Sequence, residues 1–108
     1  MTAEETKERL TRLRAIRGAQ RATVTKNVGK VNEIIGIEDF AASEHVSQLK
    51  VISRLLEAKL KTLEEIDQEV LSLCNVDEIS QEIEESEKYV EKVITCQKRI
   101  NGFSRQTQ

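Results

Sequence analysis

Apolar residues recur along this chain at helical spacing, and the recurrence divides it into three segments. In the first, Leu13, Val24, Val31 and Ile35 fall within about 40° of one another at 100° per residue, with Leu10 and Val28 on one edge and Ile16 and Ile34 on the other. Thr2-x-x-Glu5 ahead of them has the form of a capping box, in which the threonine oxygen takes an early backbone N–H and the glutamate reaches back. Gly36 followed by Ile37 reads as a left-handed glycine cap. A first helix is predicted over about residues 3–35.

The period lapses over residues 37–43, where a connection is expected and Asp39 or Ser43 can cap the next helix. From there Leu49, Leu56, Leu63 and Val70 recur every seven residues, and Ile52, Lys59, Ile66 and Leu73 follow three places after each. Leu60 widens this heptad seam. Lys59 is its polar exception, expected to snorkel from the edge. After Leu73 the register slips by one position, into the rows Val76, Ile83, Val90, Gln97 and Ile79, Ser86, Val93, Ile100. Asn75-x-x-Glu78 has capping-box form, so a short reversing turn is the first reading; a stammer in one continuous helix would give the same slip. The second and third helices are placed at about residues 44–73 and 76–101, the last fading near Asn101-Gly102 and leaving residues 103–108 as a frayed tail.

The predicted fold is therefore all-α: one helical domain over residues 1–108, three long amphipathic helices in an antiparallel, coiled-coil-like bundle. At 1.5 Å per residue the helices reach roughly 48, 45 and 39 Å. So slim a body leaves its apolar stripes partly uncovered, and self-association is expected. The residues assigned to the interaction seam are Leu49, Ile52, Leu56, Leu63, Ile66 and Val70, with Ile83, Val90 and Val93 opposite.

Composition agrees with helices: no proline, four glycines and 3% aromatic residues argue against turn-rich sandwiches and barrels. Apolar runs such as Ile34-Ile35 and Leu55-Leu56 fall far short of the roughly 20 residues of a membrane span. The N-terminus lacks the basic start and apolar stretch of a signal peptide, so a cytoplasmic, intracellular home is expected. Cys74 and Cys96 would lie roughly 33 Å apart along a continuous helix and are read as reduced thiols that pack as small apolar groups.

His45 is the only histidine, and Cys-x-x-Cys, His-Glu-x-x-His and glycine-rich phosphate loops are all missing. No catalytic, metal or cofactor site is expected, nor a small-molecule substrate, and the carboxylates Glu82, Glu84, Glu85 and Glu87 read as a solvated arc. Charge position carries more information than the net of -2. Residues 7–30 hold eight basic side chains against Glu8 alone, whereas residues 64–91 hold eleven acidic ones against Lys88. Either these pair along adjoining helices, within one molecule or between copies, or the basic helix meets RNA, with Arg14, Arg17 and Arg21 as candidate phosphate contacts. Arg17-Gly18 stands out, because Arg17 projects within the apolar arc beside Val24 and Gly18 costs roughly 1 kcal/mol of helix propensity. A close helix crossing at Gly18, with Arg17 reaching a carboxylate on a neighbouring helix, would account for both; a tolerated solvent-side glycine is the alternative.

The run Leu10-x-x-Leu-Arg-x-x-Arg-Gly-x-x-Arg-x-x-Val-Thr-Lys, the leucine heptad after it, and Gln81-Glu-Ile-Glu-Glu-Ser-Glu-Lys-Tyr-Val-Glu-Lys-Val together resemble the N-terminal helical region of BEL/Pao-type LTR retrotransposon polyproteins, over roughly residues 6–101. The resemblance implies a non-catalytic, Gag-like structural protein that assembles with itself or with another helical protein inside the cell. Protease, reverse transcriptase and integrase activities would lie elsewhere in such a polyprotein. A nucleic-acid-binding bundle using the basic first helix, or a cellular helical adaptor, is the alternative reading.

Overall fold

The computed structural model describes residues 1–36 and 43–106. The first helix, α1 (Ala3–Ile35), starts where Thr2 turns extended and its hydroxyl oxygen accepts from the Glu5 N–H at 3.1 Å. The box closes differently from expectation, since the Glu5 carboxylate accepts from the Thr2 hydroxyl rather than from a backbone N–H. At the other end the left-handed cap is corrected. Gly36 has φ -75° and ψ -8°, and its N–H still bonds the Asn32 carbonyl at 3.0 Å, so the backbone stays right-handed. The expected caps in the connection fall outside what is described, Asp39 entirely and Ser43 in its side chain.

The second helix, α2 (Ser43–Leu73), finishes as the Cys74 N–H donates to the Val70 carbonyl at 2.8 Å. Asn75 is extended, a single 3-10 turn covers Val76–Glu78, and α3 (Ile79–Gln106) follows at once. The chain thus breaks and reverses; it does not stammer. The expected side-chain cap is absent here: the Asn75 amide donates to the Glu78 carboxylate at 3.0 Å, while the Glu78 N–H takes the Asn75 backbone carbonyl at 2.9 Å.

Cross-helix pairs give the topology. Arg9 meets Glu69 and Gln20 meets Lys59, so α1 and α2 run antiparallel; Ser53 meets Gln97, so α2 and α3 do too. Arg14 meets Glu82 and Lys92 meets Thr25, so α1 and α3 run parallel. The result is an up-down-up bundle measuring 57 × 20 × 17 Å.

Leu49, Leu56, Leu63 and Val70 are 0–2% exposed, and the first three pack with Val24 and Val31 of α1 and Val93, Cys96, Ile100 and Phe103 of α3. The frayed tail is corrected by Phe103. It continues the Cys96–Ile100 row by three residues and is 5% exposed. Burying such a side chain is worth about 1.5–3 kcal/mol, more than the roughly 1 kcal/mol that Gly102 costs the helix. Among the described residues no helix is long and apolar enough to cross a membrane.

Candidate interaction site

Two features on this framework could recognise something: a layer of charged groups near the 74–78 reversal, and an apolar groove near the 37–42 connection. The layer centres on Arg17, which is 8% exposed. Its guanidinium donates to Glu82 of α3 at 2.5 Å and to Asp67 of α2 at 3.3 Å, so one side chain bridges all three helices. Arg14 donates to Glu78 and Glu82, and Arg9 holds Glu69. Arg21 lies 3.7 Å from Asp67 and places its guanidinium carbon 4.8 Å from the centre of the Tyr89 ring, a cation–π contact.

The electrostatics follow from this arrangement. The hydrogen bond from Arg17 pulls the Glu82 carboxyl below its ordinary value of 4.5, with burial opposing and Arg14 adding to the pull. Burial works against the Arg17 charge, but the bonds and charges of Glu82 and Asp67 together outweigh it, and its proton is held more tightly than usual. Charge pairing within one molecule is thus realised. The candidate phosphate contacts Arg14, Arg17 and Arg21 are each within ion-pair distance of carboxylates of the same chain.

The reach of Arg17 to neighbouring carboxylates matches the sequence reading, whereas the close crossing at Gly18 does not. A Cβ there would meet nothing within 4 Å, and the residue faces solvent. Lys59 snorkels from its seam position to donate to Gln20 at 2.7 Å. Of the seam residues, Leu49, Leu56, Leu63, Val70 and Val93 are buried, and Ile52, Ile66 and Val90 are half-buried. Ile83 is corrected. At 41% exposure it stands on the shoulder of α3, about 80° around the helix from Val93, and lines the cleft toward Leu71. Val76, placed in the same row, is 86% exposed.

The groove lies between α1 and α2, an open depression of about 680 Å³ lined by Lys30, Glu33, Ile34, Glu44, Ser47, Gln48, Val51 and Ile52. Val51 is 68% exposed and Leu55, one turn on, 40%. The heptad reading passed over these two because they fall outside the seam. Their signal was a second 3-4 spacing, Gln48, Val51, Leu55, Ala58, Thr62, on the flank of α2 beside the seam.

The groups that could carry covalent or metal chemistry are dispersed. Cys96 is a core residue whose thiol is pushed up by burial, Cys74 sits at the reversal, and His45 is half-buried at the start of α2. Among the described residues no group of three or more His, Cys, Asp or Glu side chains is placed to hold a metal ion. No protein-family model, no curated protein and no solved structure matches the chain.

Proposed function

We propose that this chain is a non-catalytic helical assembly module of the cytoplasm, Gag-like in character, that associates with further copies of itself. The observation that carries the reading is the distribution of apolar surface. The inner heptad of α2 is consumed inside the bundle, yet Val51, Leu55, Ile83 and Ile94 remain 40–68% exposed, on helices that show a partner long straight flanks. Regularly spaced apolar residues on a folded helical body are what helix-on-helix docking uses. The resemblance to the N-terminal helical region of BEL/Pao-type polyproteins points the same way. A catalytic reading gains no support from the polar groups, whose most buried arginine and carboxylates are spent on holding helices together.

Light scattering across a concentration series, at low and high salt, tests the proposal. Mass that rises with concentration is the expected result. A strict monomer at every concentration overturns it.

A further inference from the structure

We infer that two copies of the chain pair through the face formed by α2 and α3, running antiparallel about a two-fold axis level with Lys59. The inference rests on the assembly reading above and adds the surface and its orientation. One side of this face is a polar stripe on α2, Lys50, Arg54, Glu57, Lys61, Glu64 and Gln68, whose steps alternate between four and three residues and so keep it on one side of the helix. All six are exposed. Arg54, Glu57, Lys61 and Glu64 line one open depression of about 510 Å³ together with Ala58 and Leu60, and Glu64 and Gln68 share a cleft with Ile83 and Val90 of α3. Among the described residues none of the four charged groups of that depression takes part in an ion pair.

What selects a second copy as the occupant is the order of the signs. Arg54 and Glu64 are equidistant from Lys59 along α2, and so are Glu57 and Lys61. Turned end over end, the stripe presents Glu64 to Arg54 and Lys61 to Glu57, and sets Lys50 against the neutral Gln68. A surface that is its own complement under a two-fold rotation is what a symmetric dimer needs. The third helix follows the same order. Ser53 meets Gln97, so Lys59 stands level with Glu91, and Glu84 and Lys98 are equidistant from Glu91. Ile94 of one copy then comes within about half a turn of Val90 of the other, which covers an isoleucine that is 43% exposed in the single chain. Glu91 falls opposite Glu91 of the second copy, but it lies about 60° around α3 from Ile94, at the rim of the contact, where solvent and salt screen the repulsion.

The parallel arrangement of the same two faces fails this criterion. With the two-fold axis along the bundle, α2 packs on α3 of the second copy, and Glu64 falls beside Glu87 while Arg54 falls beside Lys98, like charge on like. Size sets the strength. From Lys50 to Gln68 the stripe is roughly 27 Å long at 1.5 Å per residue. On a body 20 Å across, that falls short of the roughly 800 Å² per partner of a standard interface, so the dimer is weak and depends on concentration. Because each copy offers the same surface, the contact closes at two.

The test uses two doubly substituted chains and analytical ultracentrifugation at low salt. Arg54→Glu with Lys61→Glu makes the four central charges of the stripe all acidic; Glu57→Lys with Glu64→Lys makes them all basic. All four positions are exposed, and circular dichroism checks that each variant keeps the helicity of the unsubstituted chain. Each variant alone is expected to dimerise at least about tenfold more weakly than the unsubstituted chain, and an equimolar mixture of the two to form a one-to-one complex at least as tight as the original dimer. Recovery in the mixture also shows that both variants are folded. An unsubstituted chain that associates while either variant associates equally well overturns this face and leaves the assembly reading standing. So does a mixture that fails to recombine, and so does an unsubstituted chain whose mass climbs past two copies. A chain monomeric at every concentration removes the assembly reading itself.

Discussion

The two halves of this bundle are built on different principles. Toward the connection, Val24, Val31, Leu49, Leu56, Val93, Cys96, Ile100 and Phe103 are each at most 5% exposed and form an apolar core. Toward the reversal at residues 74–78 Leu13, Leu63 and Val70 are still buried, but the three helices also converge on Arg17, Asp67 and Glu82, with Arg14 and Glu78 outside them. A buried aliphatic side chain contributes about 1.5–3 kcal/mol with little regard for what it faces. A buried ion pair recovers little beyond its desolvation cost but is demanding about geometry. The apolar half therefore carries most of the stability. The charged half fixes which turn of each helix sits beside which, because Arg17 must meet carboxylates of α2 and α3 together.

The sharpest way to break the apolar core is Leu63→Asp, at the end where it meets the charged layer. The site is 2% exposed, so the new carboxylate has no solvent to charge into and the leucine's packing is lost. Loss of helical signal at 25 °C is expected in circular dichroism. Full helicity with unchanged solution mass would mean that the inner heptad is not the core. Leu56→Ala is milder, at about 2–5 kcal/mol in urea melts.

The charged half breaks differently. Arg17→Ala leaves Glu82 to Arg14 and Asp67 to Arg21 in a layer where the two carboxylate side chains are only 13% and 16% exposed, so the loss should fall below the about 3–5 kcal/mol usual when a buried charge loses its sole partner. Replacing all three, Arg17→Met with Asp67→Leu and Glu82→Met, should by contrast be close to neutral. The register assignment then predicts broadened amide resonances in the triple variant at unchanged melting temperature. A triple variant as well ordered as the original would show that the apolar half sets the register alone.

Acid probes the same layer. Glu82 has its carboxyl lowered in the folded state, so its contribution is complete above the ordinary 4.5 and is lost as pH falls through the lowered value. Stability should therefore decline as the solution is acidified below about pH 4.5, and Glu82→Gln should flatten that part of the profile while lowering stability at neutral pH. A Glu82→Gln curve parallel to the original between pH 5 and pH 3 would remove the layer as the source of acid sensitivity.

Much of this division is legible in the sequence. The all-α architecture follows from the 3-4 spacing, and the heptad positions fall inside because alternate turns of α2 must face α1 and α3 at once. Arg17 announced itself as a charge on an apolar arc. Its partners did not, although Asp67 sits four residues after Leu63 and three before Val70, on the same inward face. Asn27 was missed for a similar reason. It lies between Val24 and Val31 on the apolar arc, 6% exposed, and satisfies its amide by donating to the Thr23 carbonyl at 2.9 Å, a bond within its own helix that no long-range pattern reveals. Helix ends were harder still, because whether α3 stops at Gly102 depends on what Phe103 finds to pack against.

The smallest effect discriminates between two explanations of one residue. Gly18 lies within α1, two turns before Lys26 and beside the buried Arg17, and a glycine there invites the idea that a neighbouring helix needs the space. The structure leaves that space empty, with nothing within 4 Å of where a Cβ would stand. Gly18→Ala should then stabilise the chain by about 0.5–1 kcal/mol, since alanine loses less backbone entropy on entering a helix. For a chain of this size that is a rise of roughly 4–8 °C in Tm per kcal/mol. Gly29 is equally open on the same helix, so Gly29→Ala serves as an internal standard. Eleven residues separate the two, and their effects should add. A Gly18→Ala chain that melts lower while Gly29→Ala melts higher would mean that a surface comes close at Gly18 in solution. Since the bundle itself offers none, that surface would belong to another molecule, and the contact between copies would have to include the middle of α1.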